Sequence, residues 1–170
     1  MKNLFRVISS VALIYVASFS TANAQSFSPY NSTWKLFSTL NFQQIFSTSV
    51  PCDVHLTLDI DGSGLSSITG GTFSPGFFLC GSAIYPQNFS WPVTVVSSTP
   101  GVSAVLDIYF DVISVGGNCE GVLRGVHFDV VNQIIDIPAA TYIQGSPVNC
   151  EFDGLIYIDP VTDSAPLDVT

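Results

Sequence analysis

The chain has 170 residues, 47% of them apolar, and sets thirteen Asp and Glu against four Lys and Arg for a net charge of −9. That balance excludes nucleic-acid binding, because counterion release needs clustered cations on the protein. The length suits one domain with its own hydrophobic core, and no charge run, Gly/Ser linker or low-complexity block divides it.

Residues 1–24 have the form of a secretory signal. Lys2 and Arg6 precede an apolar run from Val7 to Phe19, and Ala22-Asn23-Ala24 reads as an A-x-A cleavage site, so the processed chain is expected to begin at Gln25. The apolar run is shorter than the roughly 20 residues that span a bilayer, and no second run follows, so no transmembrane anchor is expected after cleavage. The short basic head is bacterial in style. The expected destination is therefore the bacterial envelope, the cell surface or the medium, where disulfides form and persist. Loss of Lys2 and Arg6 takes the net charge from −9 to −11 and leaves Lys35 and Arg124 as the only cations. Such a surface repels anionic lipid and keeps a rather apolar protein soluble by self-repulsion.

Ser26 to Phe46 holds Phe27, Tyr30, Trp34, Phe37, Phe42 and Phe46 with one Lys and no acid. The plain expectation is the first strand or two of the domain's own sheet. The sharper one is donation of this segment to a neighbouring copy, with Phe27, Trp34, Phe37, Phe42 and Phe46 as the donor side chains, so that a non-closing contact propagates into a homopolymer.

From Cys52 onward the chain alternates with the period of half-buried strands. Val54, Leu56, Leu58 and Ile60 form one inward row, opposed by Asp53, His55, Thr57 and Asp59. Asp61-Gly62 marks a hairpin turn. Asp59-Ile60-Asp61-Gly62-Ser63-Gly64 resembles the start of a calcium loop but lacks the later acidic ligand. A return strand follows over Leu65 to Phe73. Next comes an aromatic stretch, Phe77, Phe78, Tyr85, Phe89 and Trp91, which Pro86 and Pro92 keep out of a central strand. Its rings are expected either to cap the core or to form an exposed patch for an apolar ligand or surface.

Leu106, Ile108, Phe110 and Val112 make the next inward row, with Asp107, Tyr109 and Asp111 facing out. Val122, Arg124, Val126, Phe128 and Val130 read as another, with Arg124 near a strand end where its head reaches water. Ile134 to Tyr142 is the last clear strand. Asp159 to Thr170, with two prolines and three aspartates, reads as a frayed acidic tail after a single domain over 25–158. Short strands with regular Gly turns imply an antiparallel β-sandwich or barrel of roughly eight to ten strands.

The four cysteines suit two structural disulfides. Similar hairpin-like units favour Cys52 with Cys80 and Cys119 with Cys150, although four cysteines allow three connectivities. No close cysteine pair or suitably placed histidine supports a metal site, since His55 and His127 lie mid-strand. No cofactor is expected. No nucleophile elbow or H-E-x-x-H run is present, and each acid reads as a strand or turn residue, so the chain is expected not to be an enzyme.

Val50-Pro51-Cys52, Ile68 to Gly71, Leu79-Cys80-Gly81, the Trp91 strand, Gly117-Asn118-Cys119-Glu120-Gly121 and Asn149-Cys150 follow one another in an order that resembles the PraB-type proteins, named as protein activators of alkane oxidation. The resemblance spans most of the chain after the signal. It implies a secreted or surface accessory protein that assists hydrocarbon use at the interface of oil, water and cell. It brings no catalytic residues with it. The leading expectation is thus a non-enzymatic surface or extracellular-matrix protein, its partner another copy of itself or a hydrocarbon surface; the alternative is a monomeric binding module for an apolar or surface ligand.

Overall fold

The computed structural model describes residues 25–44, 49–74, 79–160 and 165–170, all of them strand, turn or loop. The signal-like first 24 residues lie outside the described residues, as do Phe46, Phe77 and Phe78. The strands are β1 (Phe27–Ser28), β2 (Ser32–Gln43), β3 (Val50–Ile60), β4 (Ser66–Ser74), β5 (Tyr85–Pro86), β6 (Trp91–Thr99), β7 (Ser103–Ser114), β8 (Gly117–Asp129), β9 (Ile134–Ile143), β10 (Gly145–Ser146), β11 (Cys150–Pro160) and β12 (Asp168–Val169).

Short turns join long, alternating segments, and each long strand pairs antiparallel with its neighbour in the chain. The series β2-β3-β4-β6-β7-β8-β9-β11 then closes on itself, because β11 pairs with β2 from Glu151 opposite Gln43 to Pro160 opposite Trp34. The result is an up-and-down eight-stranded barrel with extra short strands, which resolves the choice between sandwich and barrel. Closure pairs both edges of the strands and removes the exposed sheet edge that an open sheet would carry. Two seams are thin. β4 meets β6 only over Ser66–Ile68 against Trp91–Val93, and β8 meets β9 only over His127–Asp129 against Ile134–Asp136.

The barrel is filled by its own side chains. Trp34, Leu40, Leu56, Leu58, Ile68, Trp91, Leu106, Phe110, Phe128 and Phe152 are all fully buried. Edge-on and tilted ring contacts run through this core, Phe110 lying 5.1 Å from Trp91 and 5.7 Å from Phe152. Carboxylates such as Asp53, Asp59, Asp107, Asp136 and Asp159 stand on the outer wall. This radial order is the reverse of a transmembrane barrel, whose outward band is apolar. Among the described residues, no helix is long and apolar enough to cross a membrane.

The alternation of β3 and of Leu106 to Val112 is as expected, but β8 departs from it. Leu123 is buried, and Arg124 is exposed and paired with Asp107 at 2.9 Å. The reason is a register shift between Leu106 and Ile108 opposite Leu123 and Val126. Gly125, at φ +69°, supplies the left-handed residue of this bulge. One extra residue there reverses the parity, so Val122 and Arg124 do not share the inward face of Val126, Phe128 and Val130.

The two ends of the barrel differ. Both disulfides lie at one end: Cys52–Cys80 and Cys119–Cys150, with Cα separations of 5.6 and 5.8 Å. Each closes a unit containing one hairpin, β3–β4 in the first and β8–β9 in the second. At the opposite end the tail expectation fails. Residues 165–170 are tied down: β12 pairs with β1, Phe27 opposite Val169, and Leu167 and Val169 are wholly buried beside Phe27. Backbone hydrogen bonds run both ways between Ser26 and Thr170, extending the β1–β12 pair. The apolar alternation of Leu167 and Val169, outweighing the acids around it, plugs the barrel mouth.

Candidate functional site

The turns at the plugged end gather four exposed apolar side chains. Tyr30 comes from the β1–β2 loop, Leu65 from the β3–β4 turn, Val102 from the β6–β7 turn and Val131 from the β8–β9 turn. Leu65 and Val131 are the most exposed large apolar residues described, at 73% and 71%. These turns are bound in two pairs, β1–β2 with β3–β4 and β6–β7 with β8–β9, and the second pair is tied to the segment of β12. Asn31 N donates to Asp61 O, Val130 N to Val102 O, and Gly101 N to the Asp168 carboxylate. Gln133 bridges Val130 O and Leu167 O through its amide nitrogen.

The carboxylates at this end are spent on turn geometry. Asp61 accepts from the Ser63 hydroxyl, the Ser63 amide and the Leu65 amide. Those bonds, the Ser63 hydroxyl foremost, hold its carboxyl below the usual carboxylate range. Asp129 is held low in the same way by the side chain and backbone of Asn132. Both acids are therefore ionised near neutrality and engaged with backbone, while the apolar tips project past them.

Two grooves open beside the tips. One, of about 370 Å³, runs along the thin β4–β6 seam between Phe27, Ile60, Leu65, Pro92, Val93 and Val95. The other, of about 530 Å³, is bounded by Pro29, Gly101, Val130, Val131, Gln133 and Pro166. Leu65 lines the first and Val131 the second, so each groove at this end carries one of the exposed tips.

The aromatic stretch near the disulfide end is arranged differently. Trp91 is fully buried on β6 and donates its indole N–H to Gln87 O at 2.8 Å. Phe89 is half-buried, its ring 4.5 Å from that of Trp91. Only Tyr85 of the described members faces solvent, at 40%. Trp91 thus belongs to the core rather than to an exposed patch, because a ring of that size completes the interior where β6 begins.

The proposed donor segment is likewise internal to the chain. β2 is paired along both edges, with β3 from Ser32 opposite Ile60 to Phe42 opposite Val50, and with β11. Trp34 and Phe42 point into the core and Phe27 into the plug. Among the donor candidates described, only Phe37 lies on the outer wall, its ring stacked on Tyr157 at 5.7 Å. Sequence reasoning did not single out Leu65, Val102 or Val131, which are isolated aliphatic residues in separate turns and carry no local signal.

One polar cluster is also built from separate elements. Asp111 is 2% exposed and accepts from the side chains of Gln87 at 2.7 Å and Asn88 at 2.8 Å. Gln87 also reaches Asn118, and Tyr109 donates its hydroxyl to Glu120 at 2.7 Å. Each member has a partner, and the cluster fixes the Tyr85–Ser90 segment over the barrel wall. No group of three or more His, Cys, Asp or Glu among the described residues is placed to hold a metal ion.

A closed, disulfide-stitched up-and-down β-barrel with a packed interior, a polar wall and an apolar end face is the class of protein these features define. A family model described as alkane oxidation protein activator PraA/PraB-like matches residues 1–166, and the chain belongs to that family. No curated protein and no solved structure matches it.

Proposed function

We propose that this chain is an exported, non-catalytic accessory protein of alkane use that meets hydrocarbon, or another apolar surface, with the end face formed by Tyr30, Leu65, Val102 and Val131. The observation that carries the reading is the convergence of four exposed apolar tips from four turns, each turn hydrogen-bonded to another part of the same end. The family's description as an activator of alkane oxidation supports an assisting role. Export is supported by the signal-like residues 1–24 and by two disulfides, which persist in oxidising compartments.

Among the described residues the core side chains fill the barrel, which supports contact at the end face rather than inside. Fully burying a Val or Leu side chain is worth about 1.5–3 kcal/mol. Several such tips engaged together on a pre-formed scaffold hold a protein at an oil–water boundary without ordering a flexible segment. The acidic wall then faces water and keeps coated droplets apart.

The test is adsorption to a hexadecane–water interface, followed by pendant-drop tensiometry. The native chain lowers interfacial tension at submillimolar concentration. A Leu65→Ser/Val131→Ser variant with an unchanged circular dichroism spectrum adsorbs at least severalfold more weakly. Equal adsorption by the two proteins sinks the assignment of this face.

A further inference from the structure

The outer wall carries a second apolar feature. Across β9, β11, β2 and β3 the side chains Ile134, Tyr157, Phe37 and His55 stand in one transverse row, each opposite the next in register. Phe37 and Tyr157 are exposed, at 40% and 42%, and their rings stack with an interplanar angle of 20°. Leu155, also exposed, lies on the same face two residues along β11. Elsewhere this wall is mostly polar, with Tyr142 exposed on β9 opposite Glu151.

Charge is distributed unevenly about that row. On β2, one step toward the plugged end, stands Lys35, one of only two cations beyond residue 24. Its amine donates to Thr57 Oγ1 at 2.8 Å, and among the described residues the one ion pair is Arg124–Asp107, so Lys35 has no carboxylate partner there. One step toward the disulfide end stands Thr39, whose hydroxyl donates to Asp53 at 2.8 Å. The aromatic row is thus flanked on one side by Lys35, with Asp159 opposite it in register but outside ion-pair distance, and on the other by the Asp53 carboxylate.

We infer that this face binds a second copy of the chain, through a two-fold axis lying along the Tyr157–Phe37 row. Such an axis places the aromatic pairs of the two copies against each other. It also reverses the strand direction, bringing Lys35 of each copy opposite the Thr39–Asp53 pair of the other. An isologous contact needs that self-complementarity. On so acidic a protein, a face that supplies its own cation is where like-charge repulsion is offset locally. Four strands at about 4.8 Å make a face roughly 20 Å wide, and strands of this length run for about 35 Å. The area approaches the roughly 800 Å² per partner of a standard interface. The dimer closes, unlike a strand-donated polymer, and leaves an apolar end face free on each copy.

Sedimentation velocity on the exported, oxidised protein, over a concentration series from micromolar to millimolar, tests the inference. Concentration-dependent dimer is expected. Phe37→Ser/Tyr157→Ser weakens it at least tenfold, as does Lys35→Glu, while Lys35→Glu combined with Asp53→Lys restores it. Leu65→Ser/Val131→Ser, which tests the end face, leaves dimerisation unchanged. Monomer throughout the series, or a dimer indifferent to Phe37, Tyr157 and Lys35, overturns the proposal. Circular dichroism on each variant separates lost association from lost fold, and the charge exchange keeps the test decisive even if the double serine variant unfolds.

Discussion

Asp111 and Glu120 stand directly opposite each other on β7 and β8, yet the first is buried and the second exposed. Two carboxylates in register would repel if both faced the same environment. Here the Tyr85–Ser90 segment crosses over Asp111 and covers it with two side-chain amides, while Glu120 turns toward Tyr109 and Asn118. A local charge problem on the wall is thereby converted into the clasp for a loop.

Asp111→Ala is expected to release that loop. It leaves the side-chain amide of Asn88 without this acceptor and takes one from Gln87. Since hydrogen bonds to charged groups contribute about 1.5–3 kcal/mol each, the loss of two is roughly 3–6 kcal/mol. Urea unfolding measures it. Trp91, bonded to Gln87 O, reports it locally as a change in near-UV circular dichroism. A variant as stable as the native chain refutes the role given to Asp111.

Tyr109 is the next check. The hydrogen bond to Glu120 favours the protonated phenol and pushes its pKa up to about 12, with desolvation and the nearby carboxylate charges acting in the same direction. The folded value lies above the ordinary value of 10.0. This contribution to stability is therefore present below pH 10 and is lost as pH rises from there through about 12. Spectrophotometric titration of phenolate should show one tyrosine ionising late, and Glu120→Gln should bring it back toward the ordinary range.

At low pH the sign is opposite. Asp61 and Asp129 have carboxyls held below the ordinary value of 3.8 by bonds within their turns. What they contribute is present above that value and is lost as pH falls through the lower folded pKa. Asp61 is exposed and Asp129 half-buried, so the effect is a local loosening of the end face. Amide-exchange protection at Ser63, Leu65 and Asn132, taken relative to the intrinsic rate at each pH, should fall at acid pH before that of the core strands; a uniform fall would count against it.

The disulfides bridge sequence separations of 28 and 31 residues, so each should contribute a similar amount, about 3–4 kcal/mol by the chain-entropy argument. Cys52→Ser/Cys80→Ser and Cys119→Ser/Cys150→Ser should each lower the urea midpoint, and by comparable steps. A large difference between them would show that native-state packing rather than loop closure dominates one site.

The β class, the inward rows of β3 and β7 and the cysteine units were legible because strand alternation is a local, period-two property and each hairpin carries its own turn signal. The order of the strands was less so, as ring closure rests on β11 finding β2 across the whole chain. β8 shows why a row read from alternation fails without its neighbour: Gly125 is unremarkable in sequence, yet the bulge there reverses the face of every residue before it.

The sequence by itself determined a small, acidic, disulfide-bonded β-protein with two-residue alternation and a family resemblance carried by cysteine context. The tertiary structure alone decided that the strands close into a barrel, that Leu167 and Val169 plug one mouth, and that Trp91 is core. It also brought the turns that carry Tyr30, Leu65, Val102 and Val131 to one end of the barrel. Burial and alternation are written residue by residue, whereas a surface is a set of distances between residues far apart in the chain, and an isolated apolar side chain in a turn acquires meaning only when the barrel brings the turns to one end.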